Sequence, residues 1–223
     1  TMGFRGEAVA SIASISQMVI ISRPKGEIEA NRLVIEGGDV IETSPAAAPE
    51  GTAFSIRNLF YNTPARRKFL KTSNTEFSHI TEQFTRIALA NESVHFTLTH
   101  NGRRIKELPG AQGLRERIGS LFSTELSDDL LTISRNDRGI MVSGMIGRPQ
   151  QCRSGNQWQY VFVNGRYIRD KFISHAMREG YRSMIEINRQ PVVFLFINLP
   201  PDQVDVNVHP TKAEVRFREP NLI

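Results

Sequence analysis

Cysteine is nearly absent. Cys152 stands alone among 223 residues, which excludes an internal disulfide and fits a reducing compartment. No apolar run approaches the roughly 20 residues of a membrane-spanning helix; the longest, Val192 to Ile197, has the length of a strand. The histidines His79, His95, His100, His175 and His209 are dispersed, without a CxxC or HExxH beside them, so no metal site is expected. Neither a GxxxxGK[ST] phosphate loop nor a GxSxG nucleophile elbow occurs. No basic start runs into an apolar signal core, so nothing supports secretion. Acids are slightly scarcer than bases, 23 against 28, giving a net charge of +5 and a pI near 9.7. That modest excess is compatible with an anionic partner.

What is present is ordinary for a folded protein: 39% hydrophobic and 23% charged residues, enough for one large domain or two smaller ones. Gly6 to Ser16 spaces Val9, Ile12, Ala13 and Ser16 as a helix that packs closely. Val19–Ser22, Ala30–Ile35 and Thr52–Leu59 read as strands, and Ser44 to Gly51, with Pro45 and Pro49, reads as a surface loop. Thr63 is placed to cap a helix that opens on Pro64. Ser73-Asn74-Thr75-Glu76 has capping-box spacing before a helix carrying Phe77, Ile80, Phe84, Ile87 and Ala88 on one face. Asn101-Gly102 marks a hairpin.

Composition changes at Pro109-Gly110-Ala111-Gln112-Gly113, where a domain boundary is expected. A helix over 114–122 follows, then strands at 131–134 and 140–145 flanking Asn136 to Gly139. A second hairpin turns at Asn164-Gly165, and the next helix aligns Phe172, Ile173, Ala176, Met177 and Met184. Val192 to Leu199 reads as a buried strand. Val204–Val208 and Ala213–Phe217 alternate around His209-Pro210-Thr211-Lys212. Both halves are mixed, so the fold class is α+β. The abrupt start at Thr1-Met2-Gly3 reads as a piece of a longer protein.

Four groups could carry chemistry. In Gly3-Phe4-Arg5-Gly6-Glu7-Ala8, two glycines allow backbone N–H groups close to an oxyanion at a helix start, but a glycine-permitted turn explains them equally well. Arg66, Arg67, Lys68 and Lys71 form a basic run interleaved with Phe69, for which a solvated helix face is the commoner cause. Arg166, Arg169, Lys171 and Arg178 surround the second hairpin and its helix, where a tight turn lifts cations clear of the sheet and favours phosphate contact. Lys212, on a loop between two strands, could address a terminal phosphate, although spacing alone fits a strand-edge lysine better.

Taken together, four segments resemble the amino-terminal ATPase region of the MutL family of DNA mismatch repair proteins. They are Gly3-Phe4-Arg5-Gly6-Glu7-Ala8-Val9-Ala10-Ser11-Ile12; Gly51-Thr52 with Asn58 to Leu70 (NLFYNTPARRKFL); Val163-Asn164-Gly165-Arg166; and Asp205 to Phe217 (DVNVHPTKAEVRF), in family order across nearly the whole chain. The resemblance implies the remainder of a GHKL-type (Bergerat) ATPase sandwich over 1–110, then a transducer domain over 111–223. It implies that Phe4, Arg5, Gly6 and Glu7 belong to a lid on the nucleotide, that Thr52 lines its pocket, and that Lys212 reaches the γ-phosphate as the catalytic lysine. ATP and Mg2+ are the implied cofactors of the parent. DNA, a second MutL-type chain and a MutS-type mismatch-recognition protein are the implied partners, with no membrane, in a bacterial cytoplasm or a eukaryotic nucleus. The family's general-base glutamate and magnesium-binding asparagine precede the first motif seen here, so this chain by itself is expected to lack turnover. The alternative is a non-enzymatic nucleic-acid-binding module, because the transducer fold recurs in ribosomal and RNA-processing proteins.

Overall fold

The computed structural model describes residues 7–186, 188–205 and 216–217. It divides into two compact units, Thr1–Phe77 and Ser78–Ile223. The division falls well before the composition change at Pro109. The reason lies in the packing of the second unit, where Ala88, Leu89 and Leu108 are buried in one core with Ile118, Phe162 and Phe194.

In the first unit, α1 (Glu7–Ala13) is followed by β1 (Gln17–Arg23), β2 (Ala30–Glu36), β3 (Asp39–Ala46) and β4 (Gly51–Arg57). These strands form an antiparallel sheet in the order β3-β2-β1-β4. Ala13, Met18 and Ile35 are buried together, with Ile12, Ile20 and Leu33 packed on them; Val9 is 42% exposed and leaves the expected stripe. The segment expected to be a loop from Ser44 begins instead inside β3, where Pro45 faces Asn31. Proline is tolerated because β3 is an edge strand, with no outer neighbour among the described residues to miss its N–H.

Short α2 (Pro64–Arg67) opens on proline as expected, but the Thr63 side chain makes no cap hydrogen bond. The next cap is offset by one residue from the sequence reading. Helix α3 (Ser73–Ala90) takes Thr72 as its cap, the Thr75 N–H donating to Thr72 Oγ1 at 3.4 Å, while Lys71 N–H donates to the Glu76 carboxylate at 2.8 Å. Only the far end of α3 is buried, at Ala88 and Leu89; Ile80 and Ile87 are exposed.

The second unit continues with the hairpin β5 (Phe96–His100)–β6 (Arg103–Leu108), then α4 (Leu114–Leu121), α5 (Thr124–Asp129), β7 (Leu131–Asp137) and β8 (Ile140–Ile146). Next come β9 (Arg153–Ser154), β10 (Gln159–Val163), β11 (Arg166–Ile168), α6 (Lys171–Gly180), β12 (Arg189–Gln190) and β13 (Val193–Asn198). Finally β14 (Val204–Asp205) pairs antiparallel with β15 (Arg216–Phe217). The main sheet has the order β11-β10-β13-β8-β7. Its single parallel pair, β10 with β13, is joined through β11 and α6.

Period-2 geometry sends successive side chains to opposite faces of this sheet. Tyr160, Phe162, Phe194 and Met145 face the core that α4 and α5 close with Ile118, Leu121 and Leu126. Val161, Val163, Val193, Leu195 and Ile197 face the core that α6 closes with Ile173. Both faces are therefore covered, which is why β13 reads as an uninterrupted apolar run. Each such side chain contributes roughly 1.5–3 kcal/mol on burial. Of the stripe expected on α6, only Ile173 and Met177 meet the core; Phe172 is 69% exposed, and Met184 lies past the helix end.

Candidate functional site

The hairpin β10–β11 turns at Asn164 (φ 47°) and Gly165 (φ 77°), the left-handed pair that an Asn-Gly turn supplies without strain. Asn164 also fixes the turn to the end of β13. Its Nδ2 donates to Leu199 O and its Oδ1 accepts from Leu199 N–H, both at 3.0 Å. The strand that follows is therefore held rigidly, and α6 starts three residues after it. Asp170 caps α6 by accepting from Phe172 N–H at 2.9 Å and Ile173 N–H at 3.0 Å, a cap worth about 1 kcal/mol. Because Asp170 takes those two N–H groups, an anion arriving here meets side chains rather than the helix terminus.

Those side chains are the cations singled out from the sequence. Arg169, Lys171 and Arg178 line one open cleft of about 470 Å³ beside β11 and α6, together with His175 and Asn156. Arg166 does not line it; it stands opposite Val163 in the hairpin register and is half-buried. Three of the four expected cations thus share one concavity, and the fourth stands beside it on β11.

Sequence reasoning missed the residues that hold Arg169. Its Nε donates to Tyr167 Oη and its Nη2 to Glu82 Oε1, each at 3.0 Å. Arg86 stacks over the Tyr167 ring, 3.9 Å from its centroid, and donates to the same Glu82 oxygen. The hydrogen bond that Arg169 donates to Tyr167 Oη is the main reason its guanidinium sits above its ordinary pKa, partly opposed by burial. Burial first, and the Glu82 charge second, push Tyr160 up to about 12, so it stays a neutral hydroxyl. Glu82 and Arg169 are 87 residues apart, and no local spacing could have signalled their pairing.

Of the residues expected at a nucleotide, Phe4, Arg5, Gly6 and Lys212 lie outside the described residues. Glu7 is exposed at the first position of α1. Thr52 is exposed on β4, where its Oγ1 is 2.8 Å from Ser22 Oγ on the neighbouring strand. This hydroxyl pair is a chemically suitable rim for a polar ligand and nothing more. Val204 and Asp205 of β14 pair antiparallel with Phe217 and Arg216 of β15, and the alternating residues read between them, Lys212 included, lie outside the described residues. Among the described residues, no three His, Cys, Asp or Glu come together to hold a metal. No described helix is long and apolar enough to cross a membrane.

Residues 118–223 match the family described as "DNA mismatch repair protein, C-terminal domain". The DNA mismatch repair protein MutL of Syntrophotalea carbinolica is 46% identical over 224 residues, covering 100% of this chain and 36% of the relative. The chain therefore spans about a third of the length of the curated relatives it matches. Among solved structures, the Aquifex aeolicus MutL ATPase domain complexed with ADP is 31% identical with a TM-score of 0.72, covering 87% of this chain and 72% of that one. The amino-terminal domain of a DNA repair protein gives a TM-score of 0.81 at 25% identity, covering 97% of this chain and 71% of that one.

Proposed function

Because this chain belongs to the MutL family of DNA mismatch repair proteins and forms part of its amino-terminal ATPase region, we propose that it supplies the DNA-contacting surface of a parent in which ATP binding and hydrolysis drive dimer closure and DNA binding during repair. In this reading residues 1–110 are the remainder of the ATPase domain and 111–223 the transducer. Phe4, Arg5, Gly6 and Glu7 belong to the lid, Thr52 lines the pocket, and Lys212 addresses the γ-phosphate. ATP, when bound in the parent, supplies the phosphoryl chemistry. The partners are DNA, a second chain of the same kind and a MutS-type protein, in the bacterial cytoplasm. The complex of the Aquifex relative with ADP supports the nucleotide part of this reading.

The observation that carries the DNA part is the cleft in which Arg169, Lys171 and Arg178 converge on rigid elements. Cations spaced along one concavity neutralise successive phosphates without reading bases, so binding is expected to be sequence-tolerant and steeply salt-dependent. Replacing Arg169, Lys171 and Arg178 together by glutamate is expected to weaken duplex binding by at least about tenfold at low salt and to flatten the salt dependence. Fluorescence anisotropy with a labelled duplex at several salt concentrations measures both; unchanged affinity refutes the assignment.

A further inference from the structure

Two guanidinium groups, of Arg86 and Arg169, converge on a single oxygen of Glu82. Such an arrangement is the one by which arginines receive a phosphate oxygen, with a carboxylate standing in its place. The three side chains differ in freedom. Arg86 is 13% exposed and stacked on Tyr167, so it is fixed. Arg169 is 61% exposed and Glu82 42%, so their bond faces water and opens readily. Arg169 is also a lining residue of the cationic cleft, while Glu82 is not among its lining residues.

From this geometry we infer that Glu82 is an affinity-determining residue of the cleft: its carboxylate competes with a DNA phosphodiester for Arg169. The inference rests on the cleft being the DNA surface. A phosphate that engages Arg169 must replace the Glu82 contact at Nη2, whereas the Tyr167 hydroxyl can keep its bond to Nε. Arg86 stays with Glu82 after the exchange, so the carboxylate is never left without a cation. The competition therefore costs the complex one solvent-facing ion pair, and it discriminates between ligands. A phosphodiester backbone, which meets several cations at once, overcomes it, and a lone weakly bound anion does not.

The test is Glu82→Gln, which keeps the side chain's shape and an acceptor for Arg86 while removing the charge. Duplex affinity at low salt is expected to rise about three- to fivefold. In an Arg169→Ala background the same substitution is expected to change affinity by less than about 1.5-fold, because the residue for which Glu82 competes is gone. Glu107→Gln, a charge change at an exposed residue paired with Arg104 and His95 among the described residues, serves as the control for net charge. Equal gains from Glu82→Gln and Glu107→Gln overturn the inference, as does an unchanged or weakened affinity of Glu82→Gln when Arg169→Ala by itself weakens binding. Should Arg169→Ala and Lys171→Ala both leave affinity untouched, the cleft assignment itself falls, and the role of Glu82 falls with it.

Discussion

Gly144→Ala is expected to lower the melting temperature by about 10 °C, and Gly144→Val to prevent the second unit from folding. Gly144 sits in β8, paired with Leu195 of β13 on one side and Ile133 of β7 on the other. Its φ is +143°, and a Cβ built there would stand 2.0 Å from the Phe194 carbonyl oxygen and 3.1 Å from Leu195 Cα. Both obstacles are backbone of the central strand, so no side-chain rotation relieves the clash. Either β13 moves, disturbing both cores that its alternating residues fill, or the ladder between β8 and β13 opens. A penalty of about 4 kcal/mol for alanine is reasonable for combined backbone strain and steric overlap. Circular dichroism melts measure it; a Gly144→Ala protein that melts within about 2 °C of the parent would show that the strands separate more easily than their packing suggests.

Arg117→Ala is expected to destabilise the same unit by about 3–5 kcal/mol. Arg117 lies on α4 with no solvent exposure. Its Nη2 donates to the carbonyls of Glu92 and of Val94, the latter at 2.6 Å, and its guanidinium is 5.7 Å from the Phe96 ring centroid. Nε and Nη1 are buried with no hydrogen-bond partner among the described residues. Two effects oppose each other here. Burial lowers the pKa of the guanidinium, a mark of the desolvation that folding must overcome. Against this, two carbonyl groups and the turn between α3 and β5 depend on its hydrogen bonds. Removing the side chain leaves a cavity as well as buried acceptors without donors, so loss should dominate. Arg117→Met restores most of the volume but no donor, and is expected to recover about half of the loss. Urea denaturation of the two variants separates packing from hydrogen bonding; a methionine variant as stable as the parent would assign the whole effect to volume.

How much of this architecture could be read beforehand depends on whether the signal is local. The hairpins at Asn101-Gly102 and Asn164-Gly165 were legible because their backbone needs positive φ, which the sequence displays directly. The apolar run of β13 was legible because both its faces are buried. β3 was not, because Pro45 and a short alanine tract look like a loop until the sheet order shows the strand at an edge. The α3 cap was displaced by one residue because Thr72 and Ser73 are chemically equivalent candidates for it. At the site, Arg169, Lys171 and Arg178 were visible as charges around one turn, and one cleft collects them. Glu82 and Arg86 were invisible, because they reach Arg169 and Tyr167 from a helix far upstream in the chain. Phe4, Arg5, Gly6 and Lys212 lie outside the described residues, and their assignment stands on the family resemblance.

Rings and branched aliphatic chains alternate along β13 and β10, the rings all facing one side and the branched chains the other. A slide of either strand by one position would push Phe194 and Phe162 beneath α6 and leave valines to fill the aromatic layer. Neither layer could accept the exchange, since one would be overfilled and the other hollow. The central sheet thus has no near-miss alignment in which to become trapped, and the spacing of cations along the cleft at its edge inherits that certainty of register.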